Sequence, residues 1–220
     1  MQRPALPRRT RSRHAATAAL AAWGAGLAGA ALADTGGLSL GVGVSTLGAT
    51  LEAAYRMSDT FGMRVPAAYL RGSYTDTDDG IAYDLDLAGG GVGLLGDYYP
   101  ARGGFRLSGG AFVGSIDADG GARGDGTVGN TAYTGVDLAV GATARNSVMP
   151  ALALGYDAGI GPGWIVSADL GALYTGGADV AIRDRAGQVA QGDIDAETRK
   201  REDDAPAFYP YLKLTVAFRF

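Results

Sequence analysis

Ten ionisable side chains fall in the middle of segments that alternate apolar and polar: Glu52, Arg56, Arg64, Asp84, Asp86, Asp97, Arg106, Asp169, Lys213 and Arg219. Five are acids and five are bases. Placed in a closed lumen, such a set pairs into a plug or selects charged permeants; placed on a solvent face, it is unremarkable. Asp97 and Arg106 make one local pair. A two-residue turn at Ala101-Arg102 sets them directly opposite each other, as a structural brace or as a filter for permeants. Nucleophilic catalysis lacks its usual base: His14 is the only histidine and there is no cysteine. Gly91-Val92-Gly93-Leu94-Leu95-Gly96 matches G-x-G-x-x-G, but Asp97-Tyr98-Tyr99-Pro100 follows where a dinucleotide site needs a helix. Asp76-Thr77-Asp78-Asp79-Gly80 has the look of a calcium loop, yet Leu87 stands where the bidentate Glu belongs, so it reads as a turn. No catalytic, cofactor-binding or metal-binding residue is assigned, and no cofactor is expected.

The elements that carry these charges are strands. The last stretch shows it best: Leu212, Leu214, Val216, Phe218 and Phe220 alternate with Tyr211, Lys213, Thr215, Ala217 and Arg219. Period two gives one apolar and one polar face. Similar patterns predict strands over 37–45, 47–57, 61–75, 81–99, 104–116, 149–158, 164–182 and 209–220. Pro66 predicts a bulge in the third strand, and Gly89-Gly90-Gly91 predicts a phase shift or bend in the fourth. Residues 117–147 form a long Gly- and Asp-rich excursion with room for a short hairpin near 131–140. A second charged excursion, 183–206, carries a short helix after Asp193.

The N-terminus reads as a secretory signal peptide, residues 1–33. Arg3, Arg8, Arg9, Arg11 and Arg13 precede an Ala/Gly-rich apolar run, and Ala31-Leu32-Ala33 is a small-x-small cleavage site. A spanning helix is the alternative, set aside because Ala and Gly insert weakly. Removal of the five arginines leaves 14 Lys and Arg against 23 Asp and Glu, a net charge of −9. That balance argues against a nucleic-acid partner and against a basic patch for anionic lipid. His14 leaves with the signal.

Eight strands, an even number, with short connections at 57–61, 100–103 and 159–163 and long ones at 117–147 and 183–206, predict an all-β fold. The expected form is an eight-stranded antiparallel transmembrane β-barrel over 34–220, with short periplasmic turns and two long extracellular loops. Aromatics fall where two rims should lie: Tyr98, Tyr99, Trp164, Phe218 and Phe220 at one end, Tyr69, Tyr74, Tyr83, Tyr174 and Phe208 at the other. A soluble lipocalin-like barrel or β-sandwich shares the alternation with its apolar faces turned inward. Charges in mid-strand favour the membrane reading. An eight-stranded barrel is just wide enough for side chains to fill it.

Leu94-Leu95-Gly96-Asp97-Tyr98-Tyr99-Pro100, with Gly104-Phe105-Arg106-Leu107-Ser108-Gly109-Gly110 after it, resembles the signature of small eight-stranded outer-membrane proteins. These include OmpW-like proteins and CarO-like ornithine-uptake porins of Gram-negative bacteria. Asp169–Tyr174 and the closing FYPYLKLTVAFRF are similar to the last two strands of that group. The resemblance implies a bacterial outer-membrane location, lipid as the surrounding partner, and narrow passage of small solutes such as amino acids. It also implies that Phe218 and Phe220 serve as an aromatic assembly signal for the barrel-assembly machinery. Three functions are therefore expected in order: a narrow porin or uptake channel, a plugged structural or surface-interaction barrel acting through its acidic loops, and a lipid-modifying enzyme.

Overall fold

The computed structural model describes residues 37–78 and 81–220; the expected signal peptide and the side chains of 76–83, Tyr83 included, lie outside that description. Ten strands and one helix occur among the described residues: β1 Leu38–Ser45, β2 Gly48–Arg56, β3 Phe61–Asp78, β4 Ile81–Tyr98, β5 Phe105–Val128, β6 Thr131–Ala144, β7 Val148–Gly161, β8 Trp164–Tyr174, β9 Ala178–Asp184, α1 Gln191–Asp204 and β10 Phe208–Arg219. Eight of them, β1, β2, β3, β4, β5, β7, β8 and β10, close antiparallel into a barrel. The seam is β1 with β10, where Val42 faces Val216 and Ser45 faces Lys213.

The outward face of the barrel is apolar. Leu40, Val42, Leu51, Leu94, Leu152, Leu170, Leu212 and Leu214 are all exposed. Aromatics bound this band. At the turn end, Trp164 packs edge-on to Phe218 at 5.3 Å, and Phe61 lies 5.3 Å from Tyr98; at the loop end, Tyr174 lies 5.4 Å from Phe208. Phe208 and Phe218 are ten residues apart on one strand. At about 3.3 Å per residue and a tilt near 40°, their separation along the barrel axis is about 25 Å, the height of a bilayer-spanning apolar band. Tyr99 departs from the expected rim: it is buried and turns into the barrel.

Both excursions are sheet that rises above the barrel. β5 runs on to Val128 and turns back as β6, which pairs with its upper half from Asp117 to Val128. β6 then leads down into β7 after a break at 145–147. The seventh expected strand, 164–182, is in fact two: β8 ends at Tyr174, and β9 begins at Ala178 and pairs with β6. Gly176 and Gly177, with φ of 73° and 93°, make the break. The helix expected after Asp193 is α1. A small core of Val128, Val136 and Leu138, with Tyr133, Ile182 and Val189 against it, supports this upper part.

One expectation of backbone irregularity is corrected, and a second is narrowed from a phase shift or bend to a bend at most. Pro66 causes no bulge: β2 and β4 keep register past it, and only the β4 ladder is interrupted at Val65 and Pro66. A proline with no N–H to donate accounts for the gap. Gly89-Gly90-Gly91 does not shift the phase either, since β4 pairs with β5 in one register from Ala82 to Tyr98. What changes there is chemistry. Below the glycines the outer face carries Val92 and Leu94; above them the same face carries Asp84 and Asp86, while Leu85 and Leu87 fall on the face that continues the lumen.

Candidate functional site

The lumen is filled by two layers. The register of β5, β7, β8 and β10 sets Arg106, Gly155, Asp169 and Lys213 side by side, each opposite the next. Gly155 leaves the gap in that row. A Cβ there would lie 2.7 Å from Asp169 Oδ1 and 2.8 Å from Arg106 Cζ. Through the gap Arg106 Nη2 donates to Asp169 Oδ1 at 2.7 Å. Lys213 Nζ lies 3.1 Å from Asp169 Oδ2 and also pairs with Glu52.

Arg64 reaches in from β3 and binds the row together. Its Nε donates to Asp97 Oδ2 at 2.7 Å, Nη1 to Glu52 and Asp169 at 3.3 and 3.2 Å, and Nη2 to Ser108 and Asp169 at 2.8 and 3.2 Å. Five bonds match the five N–H groups of a guanidinium, with Asp169 held at both oxygens. Arg64, Arg106, Lys213, Asp97 and Asp169 are each no more than 4% exposed. Pairs this deep recover their desolvation cost only through such multiple bonding.

Asp157 completes the layer at its turn-end side. It accepts from Arg106, from Ser167 Oγ at 2.7 Å and from Tyr99 OH at 3.1 Å. Three cations thus meet four carboxylates. A cavity of about 30 Å³ remains below them, lined in part by Arg56, Tyr99, Asp157 and Arg219, with room for one or two waters.

The second layer is apolar and lies toward the loop end. Leu47, Leu95, Phe112, Met149, Ala151, Leu173 and Tyr211 form one buried cluster, with the rings of Phe112 and Tyr211 5.4 Å apart. Leu47 tips inward from the turn between β1 and β2. Thr46 secures that turn to β10, its hydroxyl donating to Pro210 O at 2.8 Å and its carbonyl accepting from Tyr209 OH at 2.8 Å.

Six of the ten ionisable residues singled out by sequence therefore converge: Glu52, Arg64, Asp97, Arg106, Asp169 and Lys213. The other four do not. Arg56 lies at the turn end, its guanidinium 3.3 Å from the centre of the Tyr99 ring and bonded to the carbonyls of Ser58 and Asp59. Arg219 is exposed at that same end. Asp84 and Asp86 are corrected outright: they sit on the exposed outer face of the upper sheet, where Asp84 lies 3.8 Å from Arg123. An unbroken register keeps even-numbered β4 residues outside along the whole strand. Asp97 is likewise not opposite Arg106 but opposite Ser108, which donates to it at 2.6 Å. The connection is longer than two residues and bends at Arg102, φ 52°. Phe218 packs between Trp164 and Phe220, 5.3 Å from each ring.

Asp157, Ser167 and Gly155 went unread in the sequence. Asp157 follows Gly155 by two and so shares its inward face, a signal that strand parity could have supplied. Among the described residues, no cluster of His, Cys, Asp or Glu side chains is arranged to hold a metal.

No protein-family model matches the chain, and no curated protein is significantly similar to it. Solved structures are similar in fold. Acinetobacter baumannii CarO is 23% identical with a TM-score of 0.64, over 83% of this chain and 97% of that one. Acinetobacter baumannii CarO2 is 19% identical with a TM-score of 0.67, over 84% and 98%. The chain thus shares the small closed-barrel fold of CarO.

Proposed function

We propose that the protein is a bacterial outer-membrane barrel whose lumen is closed to passive solute flow and whose working surface is the sheet above the barrel. The outward apolar band between aromatic rims supports lipid as its surroundings, and the likeness to CarO supports the outer membrane as its location. One observation carries the closed lumen: Arg64 spans the interior and spends every N–H on Glu52, Asp97, Ser108 and Asp169. The apolar layer around Phe112 and Tyr211 closes the same path a second time. On this reading the protein catalyses nothing, and assembly proceeds through the barrel-assembly machinery.

Purified barrel in a planar bilayer, with liposome swelling in amino acids alongside, tests the proposal. Absence of conductance steps and of swelling is the expected result. Steady conductance, or swelling with small amino acids, would establish the narrow uptake channel instead.

A further inference from the structure

Neighbouring strands carry their weak points at one level, just above the loop-end aromatic rim. In β4 these are Gly90, at φ 143° and opposite Tyr69, and Gly91. Gly91 stands opposite Gly114 of β5, and a Cβ at Gly114 would meet Gly91 Cα at 2.7 Å. Gly114 N–H in turn donates to Ser147 O at 2.9 Å, inside the break between β6 and β7. Asn146 N–H donates to Thr175 O at 2.9 Å, inside the break between β8 and β9. The breaks at 145–147 and 175–177 are therefore adjacent. Together with the paired glycines they draw a transverse seam across the sheet. Above it stand upper β3, upper β4, upper β5, β6, β9 and α1.

Glycine in a strand weakens it and marks a bend. At this height the broken strands are held by single backbone bonds such as Arg145 N–H to Gly177 O at 3.1 Å, while β3, β4 and β5 run through unbroken and bend at their glycines. Sheet above and below is continuous: β6 pairs with β9 over seven residues, from Leu138 to Ala144. The Arg145 side chain crosses the two breaks. Arg145 donates to Asp179 at 3.0 Å, to Gly176 O at 3.1 Å and to Ala178 O at 3.3 Å. It is about half exposed, so its hold is weak in water. We propose that the upper sheet is a flap that pivots on this seam over the barrel mouth, with Arg145 as its latch. The face it turns toward the mouth bears Leu85, Leu87, Val140 and Val180. Inclination inward shields that face; inclination outward presents it. The movement does not require the lumen to open.

The absence of cysteine makes the test direct. Spin labels at Ser58→Cys, on a turn-end loop, and Gln188→Cys, on the flap, report the distance across the seam by pulsed electron resonance in lipid nanodiscs. A second pair, Ser58→Cys with Ala101→Cys, stays within the barrel and serves as the reference width. The flap pair should be broader than the reference, and Arg145→Ala and Asp179→Ala should each broaden or shift it further while leaving the reference unchanged. A flap distribution as narrow as the reference, unmoved by both latch variants, would overturn the proposal. Heat-dependent migration in SDS confirms that each variant has a folded barrel before it is read.

Discussion

Arg106 and Asp169 meet across a residue that has no side chain. Their strands are separated by β7, and the 2.7 Å bond between them passes over Gly155, which faces both. A lumen charge network therefore depends on a position that carries no charge.

Substitution of that position should be costly. Gly155→Val places carbon within about 3 Å of both partners and forces them apart. Overpacking of this kind costs about 1–3 kcal/mol. The temperature at which the barrel loses its SDS-resistant form should fall. An unchanged transition would show that the network is looser than its distances indicate.

Arg64→Ala should do more harm than Arg64→Met combined with Asp169→Leu. The single change strands Glu52, Asp97 and Asp169 without their shared cation, and breaking a buried pair costs about 3–5 kcal/mol. The double change removes the most heavily bonded carboxylate as well and replaces charge with apolar volume. Urea titration of folding into vesicles compares the two. Equal loss in both would mean that Arg64 acts through packing alone.

Leu170 tests which face meets lipid. It is 61% exposed and lies between the two aromatic rims. Arginine near the bilayer midplane costs about 2–4 kcal/mol, so Leu170→Arg should lower folding efficiency in vesicles by that amount. Indifference to the change would favour a water-facing wall.

The upper sheet should be the acid-sensitive part. The loop before α1 and the helix itself dock through carboxylates. Val189 N–H donates to Asp184 at 2.7 Å, Tyr133 OH to Asp193 at 2.7 Å, and Gly129 N–H to Glu197 at 3.3 Å. The Val189 amide, then its neighbours, hold Asp184 below the usual carboxylate range, and the hydroxyls of Tyr133 and Thr131 do the same for Asp193. Burial pushes Glu197 up, but the bonds from Arg201 and Gly129 outweigh it and leave it lowered. Groups lowered on folding lend stability that is complete above the ordinary carboxylate range and lost as pH falls through the depressed values. Hydrogen-exchange protection factors over 185–204 should therefore fall below about pH 4 while the barrel strands keep theirs. Uniform exchange across both regions would contradict this.

How much of this was legible beforehand depends on length scale. Period-two alternation exposed the barrel strands, because one face of each meets a single solvent. It misjudged Asp84 and Asp86, since alternation alone does not say where the strand leaves that solvent. Residues 117–147 read as loop because glycine and aspartate depress strand propensity, yet Asp117–Val128 pairs on both edges in its lower half and ladder bonds prevail. The lumen cluster was legible as a set of charges and illegible as a geometry. Asp97 and Arg106 do lie 3.9 Å apart, but diagonally and not directly opposite, because the connection between them is longer than two residues and bent at Arg102.

The exchange of polarity at Gly89–Gly91 has a consequence for depth. On β3, β4 and β5, which cross this level, the outer face turns from apolar to polar, so the protein bears its own waterline. A displacement of two residues toward the turn end, about 5 Å along the normal, would draw Arg71 and Asp117 into hydrocarbon. A displacement the other way would lift Tyr69 and Phe208 out of the interface. The residues that bound the apolar band would thereby set its depth in a bilayer.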